Sequence, residues 1–368
     1  MKLNNFNISD IRAHSFVFLK ILALLLSSCN EPPVNSLNTS MQSIEKTMLL
    51  LDYFEQNGNY INSDDIPSIA DASVIYALQN NNILIIDLRS ANQYHEGHIA
   101  HAVNLQPDEV LDYFMYKIDP ASFEMIFFTC NNGNASGHVT AILRLLGYDN
   151  VYAMRFGLSG WDLHIAEKYW LANVSSHLEG KMDMRSYPKN PAGSYPAISA
   201  EAETAYAILL EQAKKAFKLK VSDYTLSLSD FERNPDDFYT ICYWPLEKYE
   251  TNGHLPGAIQ YDPKVSLLHD SYLNTLPIDK TIVVYCYSGQ HSAFVAAYLH
   301  LLGYDARSLA YGANGFIHET MARTEARPSR TFTKDLIQGF PLVESGMEVQ
   351  EFDSEENEIE IITIQGGC

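Results

Sequence analysis

Two cysteines stand where a thiol can act as a nucleophile. Cys130 follows the apolar run Glu124-Met125-Ile126-Phe127-Phe128-Thr129, and Cys286 follows Thr281-Ile282-Val283-Val284-Tyr285. Each opens a short polar loop, Cys130-Asn131-Asn132-Gly133-Asn134-Ala135 and Cys286-Tyr287-Ser288-Gly289-Gln290-His291, that leads into a segment of helical spacing. A thiol placed there sits at a helix N-terminus inside a ring of backbone N–H groups. Those dipoles favour the thiolate and cradle an anionic reactant. The glycine in fourth place, Gly133 or Gly289, suits the positive φ of a tight loop. Ser136 and Ser292 follow the loops and are expected to cap the helices.

The two thiols belong to a duplicated unit. Their spacing, 286 − 130 = 156, recurs between Gly97 and Gly253, Gly133 and Gly289, Ser136 and Ser292, and Gly147 and Gly303. Gly97-His98-Ile99-Ala100-His101-Ala102 repeats as Gly253-His254-Leu255-Pro256-Gly257-Ala258. Phe156-Gly157-Leu158-Ser159-Gly160-Trp161 repeats one register shorter as Tyr311-Gly312-Ala313-Asn314-Gly315-Phe316. Within each unit apolar runs alternate with helical patterns, as in Ile83-Leu84-Ile85-Ile86-Asp87, and the helices Val139–Leu146 and Ser292–Leu302 stop at Gly147 and Gly303. This predicts an α/β fold of two tandem domains, each a mainly parallel five-stranded sheet flanked by helices.

At the residues quoted, the sequence resembles the rhodaneses, a sulfurtransferase family. The resemblance is carried by Val283–Ala293, Leu301-Leu302-Gly303-Tyr304, the Gly253–Ala258 element, and Asp87-Leu88-Arg89 followed by Tyr94, Glu96, Gly97, His98 and Ile99. It covers roughly residues 60–170 and 222–320. It implies rhodanese-like domains and a ping-pong reaction, in which a loop thiolate takes a sulfane sulfur as a cysteine persulfide and passes it to a thiophilic acceptor. By the same carry-over Cys286 and Cys130 are nucleophiles, Cys286 the main one. The backbone of Tyr287, Ser288, Gly289, Gln290, His291 and Ser292, and of Asn131, Asn132, Gly133, Asn134, Ala135 and Ser136, is implied to hold the persulfide and the donor's anionic group. The donor is a small sulfur-containing anion such as thiosulfate, polysulfide or a persulfide, and the acceptor a thiol or cyanide. No metal and no separate cofactor are implied.

The loops depart from the family at the sixth place, where a basic residue often holds thiosulfate and this chain has His291 and Ala135. His291 can take part in that job only when protonated. Neither loop reads Cys-Gly-Ser-Gly-Val-Thr, the mercaptopyruvate type. At the positions of Asp87 and Arg89 the second unit has Tyr243 and Pro245. Asp87, Arg89, His98 and His254 read as scaffold, with Arg89 pairing Asp87 or Glu96. Cys242 reads as a small buried hydrophobe, and Arg155 as a surface residue within possible reach of the anion site. Two other classes compete. A phosphatase or arsenate reductase of the same fold needs a loop one residue longer ending in Arg, which both loops lack. A non-catalytic binding or scaffold module fits the missing basic loop residues.

The chain of 368 residues is 46% hydrophobic and 19% charged, with 23 Tyr and 17 Phe, which suits two cores. Its net charge of −20 argues against nucleic acid as a partner. Five Cys are too few and too scattered for a disulfide scaffold. Lys2, Arg12 and Lys20 precede the run Ile21–Leu26, which ends Leu26-Ser27-Ser28-Cys29 in the pattern of a bacterial lipobox. The expected organisation is a lipoprotein signal (1–28), a tether (29–44) from a lipidated Cys29, domain 1 (45–175), a Pro-rich linker (176–200), domain 2 with an extra helix over Glu201–Lys220 (201–328), and a solvated acidic tail (329–368). That places the protein in a bacterial cell envelope, lipid-anchored on the periplasmic or outer-membrane face. Cys368 ends the tail, incidentally or as a mobile sulfur-accepting thiol.

Overall fold

The computed structural model describes residues 34–325 and 330–345. The expected lipobox pattern, Cys29 and Cys368 lie outside the described residues.

Two five-stranded sheets carry the architecture. The first holds β1 (Ile69–Ala70), β2 (Ile83–Asp87), β3 (Val103–Asn104), β4 (Met125–Thr129) and β5 (Val151–Met154), in the order β1-β5-β4-β2-β3. The second holds β6 (Thr225–Leu226), β7 (Tyr239–Cys242), β8 (Ile259–Gln260), β9 (Ile282–Tyr285) and β10 (Ala306–Leu309), in the order β6-β10-β9-β7-β8. Every strand pair is parallel, with Ile85 opposite Phe127 in one sheet and Ile241 opposite Val284 in the other. Parallel strands covered by helices on both faces need continuous apolar runs, and β9 is buried at every position. The duplication read from the sequence is therefore a duplication in space.

In each sheet the chain turns outward in one direction after β2 or β7 and in the other after β4 or β9. The carboxyl ends of β2 with β4, and of β7 with β9, form the crevice where open α/β sheets bind ligands. Both cysteines lie there. The loop helices run Asn134–Leu145 and Gln290–Leu301, and Gly147 and Gly303 follow at φ 96° and 87°. The expected extra helix is shorter, Ala205–Ala216. The Glu211 carboxylate accepts from the N–H groups of Glu201 and Ala202, each at 2.9 Å, and holds that segment out of the helix. From Ile44 on, the helix Val34–Gln56 buries Leu50, Leu51 and Phe54, and the Phe54 ring lies 5.6 Å from Tyr298 in the second loop helix.

The connecting segments are docked crosswise. Downstream of the first domain, Asp183 forms an antiparallel bridge with His254 of the second (2.8 and 3.0 Å). Downstream of the second domain, Val343 forms the same bridge with His98 of the first (2.8 and 3.0 Å). The Leu178 N–H donates to Phe316 O, and the Phe340 N–H to Trp161 O, at the matching place in each domain. The stretch 330–345 was expected to be part of a solvated tail. It is instead docked: Arg330 and Phe332 are bonded to Asn314 and His318 of domain 2, and the later part is strapped across domain 1, with Phe340 stacked on Tyr76 at 4.0 Å and Pro341 O accepting from the Trp161 indole. Its apolar residues outweigh the charge that suggested solvation.

Candidate active site

Each thiol lies at the mouth of a helix. Cys130 Sγ accepts from the Gly133 N–H at 3.2 Å, and its S–H reaches Ser136 Oγ at 3.6 Å and Asn132 Oδ1 at 3.9 Å. Cys286 Sγ accepts from two N–H groups, Gly289 at 3.2 Å and Ser292 at 3.4 Å. Gly133 and Gly289 take φ 91° and 82°, as the loop reading required. These glycines are themselves the helix caps. Ser136 and Ser292, expected as caps, lie within the first turn and donate back to Gly133 O and Gly289 O, each at 3.1 Å. The turn beneath each thiol also demands glycine: a Cβ on Gly157 or Gly312 would stand 2.3 Å from Cys130 O or Cys286 O.

The fifth residue of each loop does not face its own thiol. Gln290 crosses to the first domain, where Nε2 donates to Met154 O at 3.0 Å and Oε1 accepts from the Phe156 N–H at 2.8 Å. Asn134 crosses the other way, donating to Gly289 O and to Ser308 Oγ, each at 3.2 Å, and accepting from Thr225 Oγ1 at 2.6 Å. Each loop is thus held by a side chain of the other. The donor-holding role expected of these residues is that of the backbone, so these side-chain contacts do not alter it.

Residues 71–164 and 213–319 match the Rhodanese-like domain. The chain belongs to this family. Its similar proteins include the thiosulfate sulfurtransferase GlpE of Pseudoalteromonas translucida, 28% identical over 27% of this chain and 92% of the relative. GlpE of Shewanella oneidensis is 28% identical over 24% of this chain and 84% of its own length. The 3-mercaptopyruvate sulfotransferase SseA of Escherichia coli aligns in structure over 67% of this chain and 99% of its own, at 15% identity and TM-score 0.23.

The two rhodanese-like loops differ in access. Cys130 is 6% exposed and Cys286 is fully buried. Around Cys286, the Tyr287 ring lies between the Trp244 ring at 5.0 Å and the Arg330 guanidinium at 4.3 Å. His291 is also buried, edge-on to Tyr243 at 5.1 Å, and neither ring nitrogen finds a partner among the described residues. Burial, helped by the charges of Lys264 and Arg330, pushes its pKa down to about 3. Burial thus favours the neutral ring near pH 7, the form in which His291 is not expected to hold an anion.

The cations that act on this loop are Lys264 and Arg330, which motif reading missed. Lys264 Nζ pairs with Asp64 at 3.3 Å, and Arg330 Nη1 with Glu325 at 2.8 Å. Neither lies in a repeated motif, so only the fold brings them to the loop. In the first domain Ala135 offers no charge, and Arg89 is consumed by the buried Asp87 carboxylate (2.7 Å) and by Gly97 O (2.6 Å). Arg155 pairs with Asp71.

The remaining candidates are scaffold. His98 Nδ1 contacts Tyr94 O at 2.8 Å and its ring stacks on Tyr94. His254 contacts Leu255 O and Arg185 O, each at 3.0 Å, and stacks on Tyr249. Cys242 is fully buried in β7, and burial raises its thiol pKa. Among the described residues no cluster of His, Cys, Asp and Glu is placed to hold a metal ion, and no helix is long and apolar enough to cross a membrane.

Proposed function

We propose that this chain transfers sulfane sulfur from an anionic donor to a thiophilic acceptor through a cysteine persulfide. With thiosulfate, the loop thiolate attacks the outer sulfur, an S–S bond forms, the donor's S–S bond breaks, and sulfite leaves with the electron pair. Cyanide or a thiolate then attacks the outer sulfur of the persulfide and restores the thiolate. The observation that carries this reading is the seat of each sulfur among helix N-terminal N–H groups, Gly133 for Cys130, and Gly289 with Ser292 for Cys286. Backbone donors there stabilise the charge on sulfur and bind the anionic end of the donor.

Both thiols are buried, and the slightly greater exposure of Cys130 supports it, rather than Cys286, as the first thiol to load. On this reading Cys130 takes sulfur first, and the fully buried Cys286 loads only on local opening or serves a binding or structural role. Incubation with thiosulfate, polysulfide or glutathione persulfide followed by intact mass tests the proposal. One added sulfur that disappears in Cys130→Ser supports it, and no added sulfur from any donor refutes it. We further propose that Cys29 carries a lipid that holds the protein at the cell envelope. Cys29→Ala then moves it from the membrane fraction to the soluble one, and unchanged partition refutes the anchor.

A further inference from the structure

Tyr224 ends the short helix Val221–Tyr224 that leads into β6 of the second domain, yet it packs against the first. Its ring stacks on His138 of the first loop helix, 3.9 Å between centroids at 10°. The next residue, Thr225, donates to Asn134 inside the Cys130 loop at 2.6 Å. Tyr224 is 1% exposed, and its hydroxyl finds no hydrogen-bond partner among the described residues. A buried hydroxyl left in that state is costly, and native proteins seldom keep one without a use.

The duplicated position shows that the fold does not require this orphan. At 224 − 156 = 68 the first domain has Ser68, and at 138 + 156 = 294 the second has Phe294. Ser68 is satisfied by the Tyr60 hydroxyl at 3.0 Å, and the Tyr60 ring lies 6.4 Å from Phe294. The polar groups against the second loop helix are thus matched with each other, while the Tyr224 hydroxyl against the first is not. The stack on His138 and the Thr225–Asn134 bond set Tyr224 against the Cys130 loop, and charge on Cys130 adds to burial in raising the phenol's pKa.

We propose that the Tyr224 hydroxyl, supplied by the second domain, donates a hydrogen bond to the outer sulfur of a persulfide on Cys130. This rests on the persulfide reading above. Loading extends the side chain by one S–S bond of about 2.05 Å and moves the negative charge to the new outer sulfur. The phenol stays protonated and donates to it. The free thiol leaves the hydroxyl unmatched and the loaded form satisfies it, so the second domain favours sulfur on the first domain's cysteine. Tyr224 is then a binding residue for the sulfur-loaded state.

The full chain carrying Cys286→Ser confines loading to Cys130. Thiosulfate or inorganic polysulfide is the donor, intact mass reads the persulfide, cyanide discharges it, and thermal melting is recorded in parallel. With Tyr224→Phe added, the melting temperature is expected to stay level or rise, because an unmatched polar group has been removed. The persulfide is expected to discharge roughly tenfold faster, the loss of one hydrogen bond to a charged sulfur. An unchanged discharge rate overturns the proposal. A lowered melting temperature also overturns it, because the hydroxyl then serves the fold. If the Cys286→Ser parent gains no sulfur on Cys130 from either donor, the reading of Cys130 as the loaded thiol fails and takes the proposal with it.

Discussion

Gln290 of the second cysteine loop is hydrogen-bonded to Phe156 of the first domain, its Oε1 accepting the Phe156 N–H at 2.8 Å in a buried interface. The same amide donates to Met154 O at 3.0 Å, so one side chain satisfies two backbone groups beside the first loop. Gln290→Ala leaves both groups without their partner. The expected loss is roughly 2–4 kcal/mol of stability. Urea unfolding measures it, and Asn134→Ala should show a loss of similar size. Because the two crossings brace one pair of loops, the double variant should deviate from additivity.

Native thiol labelling separates the three described cysteines. Iodoacetamide should modify Cys130 first, Cys286 at least about tenfold more slowly because labelling requires local opening, and Cys242 only on unfolding. Peptide mapping over time gives the order. Cys286 labelling ahead of Cys130 contradicts the assignment of Cys130 as the accessible thiol.

Buried histidines make the fold sensitive to acid. Burial lowers His291 to about 3 and His300 to about 4, and it lowers His138 beside His300. Above the ordinary value of 6.5 these rings are neutral in both folded and unfolded chains, so stability is fully present. Below it the unfolded chain takes up protons that the folded chain refuses, and each such group removes about 1.4 kcal/mol per pH unit until its folded pKa is reached. Urea midpoints should fall steadily from pH 6.5 toward 4.5 and fall less steeply in His291→Phe. Parallel slopes for the two proteins count against this origin.

The buried pair beneath the first loop is structural. Asp87 is fully buried and Arg89 nearly so, joined at 2.7 Å. Asp87→Ala strands the guanidinium and is expected to cost about 3–5 kcal/mol. Asp87→Leu with Arg89→Met removes both charges and should cost less. Thermal melting of the two variants gives the ranking, and equal losses exclude the stranded charge as the cause.

What the sequence disclosed depended on whether information was local or repeated. The fold was legible because the 156-residue offset repeats, and β4 and β9 announce themselves as apolar runs ending at Cys130 and Cys286. The positive φ of Gly133 and Gly289 was legible because a four-residue turn leaves little else. Three features were not. The side chains of Gln290 and Asn134 show no partner in the sequence, because each serves the other domain. The strap 330–345 was obscured by its acidic surroundings, although Phe340 and Leu342 stand in it. Tyr224, Lys264 and Arg330 lie outside every repeated motif, and only tertiary contact brings them to the loops. The downward shift of His291 was hidden for a related reason, since it depends on burial that no local pattern reveals.

The most direct measurement is intact mass of the full chain and of its Cys130→Ser and Cys286→Ser variants after incubation with thiosulfate, polysulfide or glutathione persulfide. The predicted result is one added sulfur on wild type and on Cys286→Ser, removed by cyanide with release of thiocyanate, and none on Cys130→Ser under the same brief exposure. No added sulfur on any of the three proteins from any donor contradicts the sulfurtransferase reading.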